Sequence, residues 1–300
     1  MPYSFPGPEI LHLTPTLAKP VESAAHPTAP GHRTRGMSFQ VDKYARQAAP
    51  VQYDDLDLTA AFATRPLSEG TLRVLRYMCD IESHTICYLR DVLVTPSHTD
   101  PEVTTFLTMW NYEEYWHGEV LADVLAAHGI ATGDDHVRQI RLRQGWRDRL
   151  APIRQSLLAN LIGDDFVATH MSWGAVNEWL THAGYTRLSQ IEKHPVLTEV
   201  LSRIAAQETR HIAFYATQAR ERLTRSKRAR QLTRLALSKA WQPVGANVMP
   251  RAEVRHLLRH LLGGVDGMKA ARRIDARIDT LPGLEALDLV ARRITKLLPA

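Results

Sequence analysis

Four stretches of the sequence carry apolar residues at alternating steps of three and four positions. The stretches span residues 72–93, 103–124, 167–188 and 197–215. Because these steps return to one side of an α-helix, each stretch predicts a helix with one buried face. In the middle of each apolar stripe, where another apolar residue is expected, the sequence has a glutamate: Glu82, Glu114, Glu178 and Glu208. The pattern therefore predicts four helices that each bury a carboxylate.

Turn signals set the ends of these helices, with Thr95-Pro96 after the first and His128-Gly129 after the second. We expect helices over residues 67–95, 100–128, 164–191 and 195–225. Residues 133–163 form a connection long enough to return along the bundle with a helix of its own. Short, long and short connections in this order are typical of ferritin-like bundles. The predicted fold class is therefore all-α, a ferritin-like four-helix bundle with one long crossover and extra C-terminal helices.

Three segments are expected along the chain. Residues 1–60 are rich in proline, histidine and small polar residues without sustained periodicity, and they predict a poorly ordered or arm-like segment. Residues 61–225 hold the di-iron four-helix bundle argued below, and residues 226–300 predict a basic helical extension packed on it.

Composition narrows the class of protein further. The chain has 300 residues with 44% hydrophobic content, which suits a soluble core. No run of 18 apolar residues occurs, and the N-terminus lacks a basic patch followed by an apolar run, so neither a membrane span nor a signal peptide is expected. Cys79 and Cys87 would lie about 12 Å apart on a straight helix, beyond disulfide reach. Unpaired thiols suit a reducing compartment, and we expect a cytoplasmic location.

Two of the stripe glutamates are followed by a histidine, giving the pairs Glu114/His117 and Glu208/His211. The Glu-x-x-His spacing alone is weak evidence, because four such pairs occur in the chain. The pair at residues 9 and 12 lies in a proline-rich segment, and the pair at residues 253 and 256 lies beside an apolar line rather than within it. Position inside an apolar stripe therefore selects the other two pairs.

Four carboxylates and two imidazoles buried together predict a metal site. An isolated carboxylate is costly to bury as a charge, and four together repel one another unless cations neutralise them. One Glu from each of two helices and a Glu-x-x-His pair from each of two more is the ligand set of a two-metal carboxylate bundle. Carboxylate oxygens suit iron or manganese better than zinc. We expect two iron ions, with manganese as the alternative, and dioxygen as co-substrate. The six predicted ligands are Glu82, Glu114, His117, Glu178, Glu208 and His211.

Three local strings add a family resemblance. They are Glu-Glu-Tyr-Trp-His-Gly at 113–118, Ala-Gln-Glu-Thr-Arg-His at 206–211, and Glu178 followed by Thr181. Over residues 70–225 the chain resembles the soluble acyl-acyl-carrier-protein desaturases of the ferritin-like superfamily. The resemblance implies the same six ligands, a role for Thr181 beside the oxygen site, and removal of two hydrogens from an acyl chain. Gln207 departs from the plant-type pattern, which usually has an aspartate bonded to a ligand histidine, and this predicts different redox behaviour.

Two alternatives to this ligand set stay open. Glu113 lies one turn from His117 and could replace Glu114, although Gln207 at the equivalent place of the other pair favours the shared i, i+3 spacing. His182 lies one turn after Glu178 and could be an extra ligand of the kind found in di-iron N-oxygenases. A position outside the ligand set is the simpler interpretation of His182.

The leading functional hypothesis is an oxygen-dependent di-iron oxidase, most concretely a desaturase of carrier-protein-bound acyl chains. Alternatives on the same scaffold are a hydroxylase or N-oxygenase of specialised metabolism and an iron-oxidising or storage protein. The expected partners are an acyl carrier protein or a free small-molecule substrate, a ferredoxin-like electron donor, and a second copy of the chain in a homodimer. No nucleic-acid recognition motif occurs in the sequence, so nucleic acid is not an expected partner. An acidic partner could dock on a basic face after the fourth helix, unless that face is only solvated surface. Its residues are Arg220, Arg222, Arg225, Lys227, Arg228 and Arg230.

Overall fold

The structure, a computed structural model, describes residues 39–132, 134–143 and 145–298. Within these ranges the backbone forms helices and no strand. In chain order the helices are α1 (Val41–Gln47), α2 (Leu58–Thr64), α3 (Glu69–Glu82), α4 (Thr85–Val92), α5 (Pro101–Ala126), α6 (Asp134–Arg143), α7 (Gly145–Ile162), α8 (Asp165–Glu192), α9 (Pro195–Arg225), α10 (Lys227–Ala240), α11 (Arg251–Leu262), α12 (Gly264–Ile278) and α13 (Leu289–Leu297), with a short 3-10 helix at Pro96–Thr99.

The central bundle consists of α3 with α4, α5, α8 and α9. Helix α8 packs along α9, α3 packs on α5, and α5 packs on α9. The predicted ends of the second, third and fourth helices agree with the structure within two residues. Helices α5 and α9 each begin with a proline, and Asp100 and His194 accept hydrogen bonds from backbone N–H groups of the first turn. Both features stabilise a helix start, which explains why these ends were readable from the sequence.

The first predicted helix is wrong as a single element, because it breaks directly after the predicted ligand Glu82. Helix α3 ends there and α4 begins at Thr85. The Ser83 hydroxyl donates to the Cys79 carbonyl at 2.9 Å, and the Thr85 hydroxyl donates to the Glu82 carbonyl at 2.7 Å. Such bonds compete with the helical ladder, so a short run of serine, histidine and threonine interrupts the helix.

The long connection holds two helices, α6 and α7, where the sequence predicted at least one. Helix α7 packs against α4 and α8. Beyond the bundle, α10 packs on α8 and α9, α11 packs on α3 and α8, and α12 packs on α8. The extension is anchored by Trp241, which is fully buried and donates its indole N–H to Asn177 Oδ1 at 3.1 Å.

The segment before the bundle also lies on it. Tyr44 of α1 is buried and reaches α5, where its hydroxyl donates to Glu113 at 2.7 Å. Farther along, Tyr53 donates to Asp123 at 2.5 Å. Residues 1–38 of the predicted N-terminal segment lie outside the described residues, and the division into three segments stays a prediction.

The expectations about the two cysteines and about membrane spans can be compared directly with the structure. Cys79 and Cys87 do not form a disulfide with each other, as their spacing predicted. Among the described helices, none combines the length and the apolar character that crossing a membrane requires.

Candidate metal centre

All six predicted ligands meet in the middle of the bundle, and all are buried. Their donor atoms form two overlapping groups of four, and within each group the atoms lie within 4.8 Å of one another. Glu82 and His117 belong to the first group only, whereas Glu178 and His211 belong to the second only. Glu114 and Glu208 belong to both groups. If each group held one ion, the two ions would share Glu114 and Glu208, and each would have one histidine.

The two histidines turn the same ring nitrogen toward the carboxylates. His117 Nδ1 lies 3.3 Å from Glu114 and 3.4 Å from Glu208, and His211 Nδ1 lies 3.2 Å from each of the same two side chains. The other ring nitrogens point outward, where His117 Nε2 lies 2.9 Å from Gln207 Oε1 and His211 Nε2 lies 2.9 Å from a Glu113 oxygen. An acceptor at Nε2 places the proton there and leaves Nδ1 free to bind a metal.

Two aromatic side chains orient the carboxylates that do not belong to a Glu-x-x-His pair. The Trp110 indole donates to Glu178 Oε1 at 3.0 Å, and the Tyr185 hydroxyl donates to Glu82 Oε1 at 2.5 Å. Sequence reasoning assigned both aromatics to the core. Their signal was position, because Trp110 lies one turn before Glu114 and Tyr185 lies two turns after Glu178 on the same stripes.

The electrostatics of the cluster indicate a need for positive charge. Burial, reinforced by the charge of Glu114, raises the pKa of Glu82 well above its ordinary value, and burial with the charge of Glu208 does the same for Glu178. Burial alone would lower the pKa of His117, but hydrogen bonds and charge from Glu114 and Glu208 raise it to about 9. Protons on acids and imidazoles thus balance the cluster's charge, which is the work that two divalent cations would do.

Glu208 shows the opposite shift to Glu82 and Glu178. Burial and the charge of Glu114 would raise the pKa of Glu208, yet hydrogen bonds with His117 and His211 lower it to about 2. Glu208, one of the two carboxylates that belong to both donor groups, is therefore held as an anion. Carboxylate anions and imidazole nitrogens in this arrangement fit two ions of iron or manganese.

A cavity of about 230 Å³ adjoins the cluster on its carboxylate side. Three of the six predicted ligands, Glu82, Glu114 and Glu178, form part of its wall, together with Thr181. The outer wall is residues 242–248, the cover segment, which joins α10 to α11. The Tyr77 hydroxyl holds this segment by donating to the Val244 carbonyl at 2.7 Å. The histidines lie away from the cavity, so a small molecule there would approach the cluster from the carboxylate side.

Four aromatic rings line the cavity, from Tyr88, Trp110, Trp173 and Tyr215. Tyr215 is fully buried, and its hydroxyl has no hydrogen-bond partner among the described residues. The sequence identified it only as a core position. A ligand in the cavity could satisfy this hydroxyl, whereas burying it unpaired is costly.

Gly174 lets the Tyr215 ring occupy this place. A Cβ atom at residue 174 would lie 2.3 Å from Cδ1 and Cε1 of the Tyr215 ring, far inside van der Waals contact. The glycine in the third apolar stripe therefore serves close packing between α8 and α9, at the edge of the cavity.

The remaining candidates fall outside the cluster. Glu113 is not among the clustered donors, because it accepts from His211, Tyr44 and Arg210 instead. His182 does not join either donor group of the described residues. Thr181 lies on the cavity wall, and its role beside oxygen stays a prediction, as do the ligand roles of the six residues.

The excluded Glu-x-x-His pairs can also be placed. Glu253 forms a two-point contact with Arg73 at 2.8 Å, and His256 lies 3.2 Å from the Gly70 carbonyl. The pair at residues 9 and 12 lies outside the described residues.

Much of the basic face is used within the fold. Arg222 pairs with Asp100, and Arg230 donates to the carbonyls of Leu223 and Thr224, where it stabilises the end of α9. Arg225 and Arg228 keep 76% and 62% of their side chains exposed, although each is near one carboxylate, so they are the positions that a partner could reach.

No family model matches the sequence, and no curated protein matches it significantly. Among solved structures, the chain is similar to two mutants of an R2-like ligand-binding oxidase, one with an aerobically reconstituted Mn/Fe cofactor and one with an Fe/Fe cofactor. Each comparison has 18% identity and covers 88% of this chain and 91% of the other, with TM-scores of 0.51 and 0.50. At this identity the likeness concerns the fold, and it confirms the predicted all-α, ferritin-like class.

Fold and site together define the class of protein at this level. The chain is a ferritin-like bundle with a buried carboxylate and histidine cluster that can hold two metal ions. The solved neighbours carry Mn/Fe or Fe/Fe pairs, which are the metals expected from the donor atoms.

Proposed function

We propose that the protein is an oxygen-dependent two-metal oxidase that acts on a compact organic molecule held beside the cluster. The observation that carries this proposal is the shared wall: Glu82, Glu114 and Glu178 belong both to the candidate metal site and to the lining of the cavity. A storage protein needs a path for iron, whereas a cavity with aromatic walls at the candidate metal ligands suits an organic substrate.

Different residues would hold the metals and contact the substrate. Two bound ions, of iron or of iron and manganese, would supply dioxygen activation and the oxidation of the substrate. The six ligands would hold them, while Trp110 and Tyr185 orient Glu178 and Glu82 through the hydrogen bonds described above. Thr181 presents a hydroxyl at the cavity wall, one turn from Glu178, where it can position oxygen or donate a proton.

The cover segment would limit the access of water to the reacting region, because it forms one wall of the cavity. Tyr77 fixes Val244, and Gly245 allows the close approach, since its φ is +79° and a Cβ there would lie 2.5 Å from the Tyr77 hydroxyl. Exclusion of water strengthens electrostatic interactions inside the site and protects reactive species from side reactions.

The cavity's size favours a compact substrate. At about 30 Å³ for a group the size of a water molecule, a volume of 230 Å³ holds roughly eight such groups. Drug-sized ligands usually occupy pockets of about 300–1,000 Å³. Aromatic walls further favour a planar ring. These features support a hydroxylase or N-oxygenase of a small molecule more than an oxidase of long chains.

Desaturation of a carrier-bound acyl chain is the second candidate, and a neighbouring pocket favours it. This apolar pocket of about 50 Å³ is lined by four leucines of α11 and shares Ile81, Thr181 and Val244 with the main cavity. An acyl chain could extend into it, provided that side chains of α11 move aside.

Metal analysis and a substrate screen test the two candidates. The protein is loaded anaerobically with Fe(II), or with Fe(II) and Mn(II), and then exposed to ¹⁸O₂ with compact aromatic compounds or with acyl chains on a carrier protein. We expect two ions per chain and oxygen incorporation into a compact compound. Carrier-dependent loss of two hydrogens would instead support desaturation, and a single zinc ion undisplaced by iron would refute the two-metal proposal.

A cavity-filling variant ties the activity to the cavity. Ala246→Phe places a ring in the cover segment, and Ala240→Phe, at an exposed position six residues earlier, is the matched control. We expect Ala246→Phe to bind two ions yet lose substrate oxidation, with Ala240→Phe unchanged. Equal activity in both variants would place the substrate elsewhere.

A further inference from the structure

We propose that the two metal positions are unequal, because the acid Glu113 supports His211 whereas the neutral amide Gln207 supports His117. The position beside His211 would bind its ion more tightly and be the first to fill. This inference rests on the proposed two-metal site, and it concerns residues outside the ligand set.

The two supporting contacts are related by the exchange of α5 and α9. In each helix the supporting residue directly precedes the ligand glutamate, and it reaches the histidine of the other helix. His211 Nε2 lies 2.9 Å from Glu113 Oε2, and His117 Nε2 lies 2.9 Å from Gln207 Oε1. The two supporting contacts are thus matched in length, and they differ in the chemistry of the acceptor, a carboxylate at His211 and a neutral amide at His117.

The backbone N–H and carbonyl of Ala49 distinguish the two supporting side chains. Its N–H donates to Glu113 Oε1 at 3.4 Å, and Gln207 Nε2 donates to its carbonyl at 3.1 Å. Because the carbonyl can only accept, it turns the nitrogen of Gln207 toward itself and the oxygen toward His117. A glutamate at 207 would face that carbonyl oxygen with another oxygen, so the segment before the bundle favours an amide at this place.

Glu113 is an acid side chain held in place by two further donors. It is completely buried, and Arg210 donates to Oε1 at 2.5 Å while the Tyr44 hydroxyl donates to Oε2 at 2.7 Å. A carboxylate that accepts from the outer nitrogen of a histidine raises the basicity of the inner nitrogen, and a neutral amide does so less. His211 is therefore the stronger donor of the two histidines.

A titration of the metal-free protein with Mn(II) tests the inference. The electron paramagnetic resonance signal of the free ion measures how much Mn(II) stays unbound at each step. Loss of such a supporting contact typically costs about 10–100-fold in metal affinity. We expect two binding constants at least about tenfold apart in the parent, and Glu113→Gln should weaken the tighter one by a factor in that range. Anomalous scattering from crystals with one Mn(II) per chain should place that ion beside His211.

Arg210→Gln is the matched control, because it removes a neighbour of Glu113 but leaves the carboxylate on His211. We expect the gap between the two constants to persist in this variant. If Glu113→Gln does not fold, Gln207→Glu decides, since a second carboxylate should narrow the gap, and an unchanged gap would overturn the inference.

The outcomes separate this inference from the proposed function. Two equal constants in the parent would overturn the inequality, and a gap that survives Glu113→Gln would overturn its assignment to Glu113; neither result touches the two-metal site. A parent that binds fewer than two ions would overturn the two-metal site, and the inequality with it.

Discussion

Replacing Gly174 by alanine tests how α8 and α9 meet at the cavity. The added methyl group would lie 2.3 Å from two carbons of the Tyr215 ring, and that ring is fully buried. The ring also lies 6.3 Å from the Trp110 ring between centroids, so it cannot move without disturbing a neighbour of Glu178. The substitution therefore forces either the ring or the two helices to shift.

Two effects of opposite sign set the change in the free energy of unfolding. An extra methyl group in a packed core costs about 1–3 kcal/mol, whereas alanine in place of a mid-helix glycine gains about 1 kcal/mol. The expected net loss is up to about 2 kcal/mol. Gly184→Ala in the same helix is the matched control, because its nearest neighbour is the flexible end of Met78 at 3.2 Å. Gly184→Ala should gain the higher helix propensity of alanine with little steric clash. Its free energy of unfolding should therefore exceed that of Gly174→Ala by about 1–3 kcal/mol.

Urea unfolding of the metal-free variants measures both free energies of unfolding. In the Gly174→Ala background, Tyr215→Leu should recover part of the loss, because the ring that meets the methyl group is gone; a double-mutant cycle isolates this coupling. If Gly174→Ala proves as stable as Gly184→Ala, the close approach of Tyr215 does not constrain residue 174, and the reasoning fails.

Four further predictions follow from the site and its surface. His211→Ala should reduce metal content from two ions to at most one per chain, as measured by elemental analysis; full loading would remove His211 from the ligand set. Loading two ions at neutral pH should release protons, because Glu82, Glu178, His117 and His211 all have a raised pKa, so affinity rises with pH; calorimetry in buffers of different ionisation enthalpy measures this, and no release would contradict the charge balance. Thr181→Val should keep the metal content but change the product formed per electron consumed; an unchanged yield assigns Thr181 to packing. Arg225→Glu with Arg228→Glu should slow reduction by an acidic ferredoxin-like donor, in a salt-sensitive way, while reduction by dithionite stays the same; equal rates with both donors would make this surface merely solvated.

The ligand candidates were predictable because they violate a strong rule. A carboxylate inside an apolar stripe is rare unless something neutralises it, and a period of three and four residues can be read from the sequence alone. Helix ends were equally local, since Pro101 and Pro195 follow capping side chains. The break after Glu82 was harder, because serine and threonine are tolerated inside many helices and only their backbone hydrogen bonds show which choice the chain made.

Features that depend on distant parts of the chain left no local signal. Trp110 and Glu178 are 68 residues apart, and Tyr77 and Val244 are 167 residues apart. Each partner looks like an ordinary core or loop residue until the tertiary structure brings the two together. The cavity wall belongs to the same category, since its outer part comes from a connection between two helices of the extension.

The outer wall of the cavity and the candidate metal ligands come from different parts of the chain. The cover segment belongs to no bundle helix, so its length and side chains can vary without shifting the helical register that places the metal ligands. Two hydrogen bonds hold the cover segment in place. Trp241, just before it, donates to Asn177, and Tyr77 donates to the Val244 carbonyl within it. Over evolutionary time, or in a library of exchanged loops, the cavity could therefore change in shape while the candidate metal site stays the same.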